Sequence, residues 1–208
     1  MKIVSLIALT FAASVANAVV IIGNYPPTND GTQAADVDTL RVKALGFTMG
    51  AQNYFLDSIT LRLEFTSTWT NNAPILTLRA AGASATLTGP ILETLTAPGG
   101  YVTGAINNYT FTSPSNFELQ ANTLYYVHLA GTPGSAETGM NWKASSPAVT
   151  PTGSGATHTS SLFSTNGGTT YTNSTILNTY EINATPVPEP ATMAALGLGI
   201  LFLKRRRR

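Results

Sequence analysis

Chemistry has few places to start in this chain. It carries two histidines and no cysteine, so thiolate nucleophiles, thiolate metal sites and disulfides are excluded. His128 falls on the strand face opposite Tyr125, Val127 and Leu129 and is expected to be exposed or half-buried. His158 lies in a polar stretch and is expected to be solvated. No serine sits in a nucleophile-elbow pattern. A glycosidase needs two carboxylates about 5 Å or about 7–9 Å apart, and the nine acids between residues 19 and 187 include no pair that spacing singles out. Asp30, Asp36 and Asp38 cluster in one loop, and calcium favours such oxygens. Their spacing matches no EF-hand loop, and plain loop solvation accounts for them better. Tyr25, Trp69, Tyr101, Tyr109, Trp142 and Tyr171 lie in or beside loops, where aromatic faces either stack on sugars or pack a core. Asn108, Asn173 and Asn183 head glycosylation sequons, which recur by chance in a chain rich in Asn and Thr. No catalytic, cofactor-binding or metal-binding set is expected.

Charge narrows the partners. The whole chain is +1 at pH 7, but the cations gather at the C-terminus. Between residues 19 and 187 there are five bases (Arg41, Lys43, Arg62, Arg79 and Lys143) against nine acids, a net charge of −4. A basic nucleic-acid surface is unsupported.

The two ends carry the clearest signals. Lys2 is followed by an apolar stretch, Ile3 to Ala13, and then by Ala16-Asn17-Ala18, a small-residue cleavage site. Residues 1–18 read as a secretory signal peptide that engages the Sec translocon and is cut by signal peptidase after Ala18. At the other end stand Val187-Pro188-Glu189-Pro190, an uncharged run from Ala191 to Leu203, and the cations Lys204, Arg205, Arg206, Arg207 and Arg208. As a helix the run would extend about 20 Å at 1.5 Å per residue. A bilayer core is about 30 Å thick, so the run is short for a permanent transmembrane helix, although Lys204 and the arginines can snorkel to lengthen its reach. The terminal cations resist crossing and are expected to stay cytoplasmic. Pro186, Pro188 and Pro190 hold the entry to the run extended.

These three parts, in this order, resemble the PEP-CTERM sorting signal of Gram-negative bacteria. The resemblance implies an exosortase as partner, acting near residues 187–190 after a transient inner-membrane intermediate. It also implies delivery to the cell surface or extracellular matrix, in a setting of exopolysaccharide and biofilm.

Between the ends, residues 19–185 read as one all-β domain. Ile59, Leu61, Leu63 and Phe65 alternate with Thr60, Arg62 and Glu64, a period of two that marks a half-buried strand from Tyr54 to Thr66. Leu56 falls on the other parity, which predicts a bulge at Asp57-Ser58. Further strands are predicted at Val19–Ile22, Arg41–Thr48, Ile75–Ala80, Ile91–Thr96, Tyr101–Ile106, Tyr109–Thr112, Thr123–Ala130, Met140–Ala144, Ser161–Ser164 and Leu177–Ala184. Gly23–Thr39 and Ser145–Ser160 are predicted to be loops, and Asn166-Gly167-Gly168 a hairpin turn. No stretch of the body has helical periodicity. Many short strands with Gly, Pro and Asn turns suit a single jelly-roll-like β-sandwich, flanked by the cleaved leader and the tail (186–208). Phe47-Thr48-Met49-Gly50 ahead of Ser58–Leu63, and the stretch Leu119–Val127 ahead of Trp142, make the body similar to the choice-of-anchor R domain of exported bacterial proteins. That family implies a β-sandwich and no established activity. The expected role is a non-enzymatic envelope or matrix protein. A carbohydrate-binding module for matrix polysaccharide and a secreted hydrolase are the alternatives.

Overall fold

The computed structural model describes residues 17–29, 33–69, 72–82, 88–133 and 139–188. Among them are thirteen strands and no helix: β1 (Val19–Gly23), β2 (Ala34–Val37), β3 (Val42–Met49), β4 (Tyr54–Phe65), β5 (Ile75–Ala81), β6 (Thr88–Thr94), β7 (Ile106–Thr112), β8 (Glu118–Leu119), β9 (Leu124–Ala130), β10 (Met140–Lys143), β11 (Ala156–Ser164), β12 (Thr172–Asn173) and β13 (Tyr180–Pro186). They form two sheets. One runs β1-β13-β4-β10-β2, with β7 and β8 also paired to β4; the other runs β12-β11-β3-β9-β5-β6. All strand pairs are antiparallel.

The period-two pattern of β4 is realised directly. Ile59, Leu61, Leu63 and Phe65 are fully buried, while Thr60, Arg62 and Glu64 stay partly exposed. The bulge is where the parity break puts it. Asn183 pairs Ser58 and the next residue, Ala184, pairs Leu56, so Asp57 is the extra residue. β4 is long enough to serve several partners. β7 pairs residues 58–64, overlapping both β13 (54–61) and β10 (63–65), so β7 occupies one edge of β4 and β13 and β10 share the other. Trp142 of β10 sits at that junction, fully buried, and its Nε1 donates to Thr179 O at 2.9 Å.

The inner faces of the two sheets share one core. Leu45, Phe47, Leu76, Leu78, Val127 and Leu129 from the second sheet meet Leu56, Leu61, Leu63, Phe111, Trp142 and Ile182 from the first. With no cysteine, this burial is the main source of stability, at about 1.5–3 kcal/mol for each large side chain removed from water. A smaller cluster of Ala44, Tyr126 and Leu162 lies apart, with Tyr171 packed against it. The second sheet is therefore covered on part of its outer face as well.

Four readings of the chain need correction. The predicted Gly23–Thr39 loop contains β2, which pairs β10 residue for residue. The predicted Ser145–Ser160 loop gives way at Ala156 to β11, which pairs β3 from Ala156 to Ser164. Tyr101–Ala105 is irregular, and the strand expected to begin at Tyr109 starts at Ile106. The last strand begins at Tyr180 rather than Leu177. In each case pairing with a distant strand decided what local alternation could not.

Candidate functional site

The tail leaves the body at an end built by four segments. β13 runs to Pro186 alongside the start of β4, with Pro186 opposite Tyr54. The next N–H, that of Val187, donates to Asn53 O at 3.0 Å. Asn53 is itself fixed by its side chain. Its Nδ2 donates to Glu118 Oε1 at 2.8 Å and to Gln120 Oε1 at 3.3 Å, and its Oδ1 accepts from the N–H of Ala121 at 2.8 Å. The backbone is thus held through Val187, and Pro188 is the first exposed residue beyond it. Of the predicted sorting motif, Val187 and Pro188 are described; Glu189 and Pro190, the apolar run 191–203 and Lys204–Arg208 lie outside the described residues.

The same end receives the other terminus. β1 pairs β13 with Val19 opposite Ala184 and Val20 opposite Asn183. Strand structure begins at Val19, the residue after the predicted cleavage point, and Ala18 stands exposed just before it. Ala16 and the rest of the leader lie outside the described residues. Because β1 and β13 are antiparallel, the chain enters and leaves the body side by side. Val19 and Val20 are 42% and 43% exposed, as suits an edge strand. Among the described residues no helix is long and apolar enough to cross a membrane.

The residues singled out for chemistry are dispersed. Asp36 and Asp38 both serve Arg41. Its Nη1 donates to Asp36 Oδ2 and its Nε to Asp38 Oδ2, each at 2.8 Å. Asp38 Oδ1 also accepts the N–H groups of Leu40 and Arg41. Burial works to raise the Asp38 pKa, but the bonds from Arg41 and Leu40 outweigh it and hold the carboxyl below its ordinary value. These two carboxylates are satisfied by a guanidinium; Asp30 lies outside the described residues. No group of three metal-ligating side chains forms among the described residues.

The aromatic residues do not assemble a sugar-stacking face. Trp69, Tyr101 and Tyr109 close around Phe65 at centroid distances of 4.7, 4.9 and 5.2 Å, and Trp142 is in the core. The Tyr25 hydroxyl takes a hydrogen bond from Asn108, which also accepts from Arg62. Tyr171 packs edge-on against His128 at 6.2 Å.

Both histidines differ from expectation. His128 is only 5% exposed, because the segment from Ser164 to Tyr171 folds over that part of the outer face. An added Cβ at Gly168 would sit 2.7 Å from the Tyr171 hydroxyl and 3.5 Å from His128 Nε2. Burial, and next the charge of Arg79, push the His128 pKa down to about 4. His158 lies within β11, half-buried, with Ser161 Oγ 3.4 Å from its Nε2. Burial and then nearby Lys43 lower its pKa.

Sequence reasoning passed over three residues that matter here. Lys43 is fully buried and donates to Ser174 Oγ and Ile176 O; burial brings its pKa down to about 8. The signal was present, since Lys43 shares parity with Leu45, Phe47 and Met49. Arg79 borders a groove on the outer face of the second sheet. Asn53 holds the tail exit, and nothing local distinguishes it from any other turn Asn.

Residues 186–208 match the family model for the PEP-CTERM protein-sorting motif. No curated protein matches the chain. The motif indicates a secreted surface protein of a Gram-negative bacterium, exported and processed by an exosortase.

Proposed function

We propose that this chain is a non-enzymatic component of the outer envelope or extracellular matrix, with a jelly-roll-like body similar to the choice-of-anchor R domain. The leader directs export and is cut after Ala18. The body folds outside the inner membrane. The tail then holds it there as an intermediate, through the apolar run 191–203 stopped by Lys204–Arg208, until an exosortase acts at Val187–Pro190. The exported protein then joins a biofilm or exopolysaccharide matrix.

The observation that carries this reading is the placement of the matched motif. It begins at Pro186, the last residue of β13, one residue before the Val187 N–H bonds Asn53 O, and beside the start of β1 at Val19. A body entered and left at one end can fold completely while both stems remain at a membrane.

Fractionation of cells tests the proposal. Glu189→Gln keeps the shape of the motif and removes its only charge, which a basic group of the enzyme would grip. This variant should be exported yet accumulate in the inner membrane. Deleting Lys204–Arg208 should instead let unprocessed protein slip into the periplasm. Delivery of both variants to the surface at the parental level would refute the tail's role.

A further inference from the structure

The outer face of the second sheet holds a half-open groove of about 410 Å³. That lies within the ~300–1,000 Å³ typical of small-molecule sites. Its polar residues include Thr77 and Arg79 of β5, His128 of β9, which stands opposite Thr77, and Thr39 between β2 and β3. Its apolar walls include Ile75, Ile91 and Pro133. Among the described residues no acidic side chain lines it.

Arg79 is the notable group. Its Nε donates to Thr77 Oγ1 at 3.2 Å, and Nη1 reaches Gly89 O only at 3.5 Å. A guanidinium has five N–H donors, so most of its capacity is unused, and among the described residues no carboxylate pairs with it. His128 adds a second unsatisfied polar group: the residue is 5% exposed, and its buried Nε2 has no hydrogen-bond partner among the described residues. Ile91, by contrast, is 51% exposed on the rim, leaving an apolar surface beside the guanidinium.

We propose that this groove binds a carboxylate carried on a body of monosaccharide size, the carboxylate on Arg79 and the body against Ile75, Ile91 and Pro133. A single planar guanidinium matches one carboxylate in charge and in bidentate geometry. A phosphate dianion would call for a second cation, and none lines the groove among the described residues. The net charge of −4 on the body does not oppose this, since charges beyond about 8–10 Å are screened at physiological salt. The carboxylate has two possible sources, a uronic acid within a glycan or a free organic acid. The inference rests on the export reading only for which of these the protein meets.

Titration calorimetry of the purified full-length protein, with proton NMR of the two histidines, tests it. The probes are glucuronate, a glucuronate trimer, cyclohexanecarboxylate, glucose and inorganic phosphate. Glucuronate should bind at least tenfold tighter than glucose and than phosphate, and should move the ring signals of His128 but not those of His158. Arg79→Gln should weaken it at least tenfold. So should Ile91→Asp, whose exposed position leaves the core untouched. A trimer at least tenfold tighter than cyclohexanecarboxylate assigns the carboxylate to a glycan; the reverse order assigns it to a free acid, and either supports the site. Parental affinity in both variants, equal binding of glucose and glucuronate, equal binding of phosphate, or no carboxylate binding at millimolar concentration would overturn it. Surface delivery of Arg79→Gln should be unchanged in every case, which separates this test from that of the sorting tail.

Discussion

Acid should destabilise the body through His128, and the size of the effect follows from its surroundings. Among the described residues, the groups facing the ring are Ala44 from β3, Thr77 and Arg79 from β5, and Gly168 and Tyr171 from the covering segment. None is an acid, so an imidazolium formed there would be desolvated and would face another cation. Burial first and Arg79 second bring the pKa from 6.5 to about 4. In the unfolded chain the imidazole keeps its ordinary value. Between pH 6.5 and 4 the unfolded chain therefore takes up a proton that the folded chain refuses, and stability is lost as pH falls through that window. The full gap corresponds to about 3 kcal/mol, most of which is lost by pH 4.5. Against a typical ~5–15 kcal/mol of native stability, that is a large share. The assay is urea unfolding of the parent and of His128→Phe, each at pH 7.5 and pH 4.5. Each protein is compared with itself, so any constant cost of the substitution cancels, as does the contribution of His158. The parent should lose about 2–3 kcal/mol more than the variant. Equal losses would refute the reasoning about burial and charge at this site.

Three further expectations concern the body. Leu61→Ala, on the buried face of β4, should cost about 2–5 kcal/mol in chemical denaturation; a neutral result would mean that the strand's facing is wrong. Lys43 is buried with its pKa brought down to about 8, so between pH 8 and 10.5 the unfolded chain holds a proton that the folded chain has released. The parent should therefore gain about 3 kcal/mol relative to Lys43→Met as pH rises across that window, measured by urea unfolding at both ends. Asn53→Ala removes the side-chain bonds to Glu118, Gln120 and Ala121 and should cost about 1–3 kcal/mol. Hydrogen exchange at the Val187 amide should accelerate in step.

The legible parts of the chain were those where local pattern and tertiary environment agree. β4 alternates strictly and is buried on one face, so its span, facing and bulge were all readable. The second half of β11, Ser161–Ser164, reads as strand, but its first half reads as loop because Thr157, His158, Thr159 and Ser160 carry no alternation of polarity; their strand character comes from pairing with β3, about 110 residues away in sequence. β2 was hidden for a similar reason, as Ala34 and Ala35 say little until they lie against β10. His128 was expected to be at or near the surface because its parity opposes the core. The sequence offers no sign that the segment from Ser164 to Tyr171 returns to cover that face. The groove at Arg79 was equally invisible, since it depends on β5 and β9 lying side by side. The tail needed no fold to be read, because its three parts are consecutive.

The most direct test of the central claim is the intact mass of the protein recovered from the cell surface. Processing at both ends predicts a single species that begins at Val19 and ends within Val187–Pro190. A mature surface species that still carries Lys204–Arg208 would contradict the account.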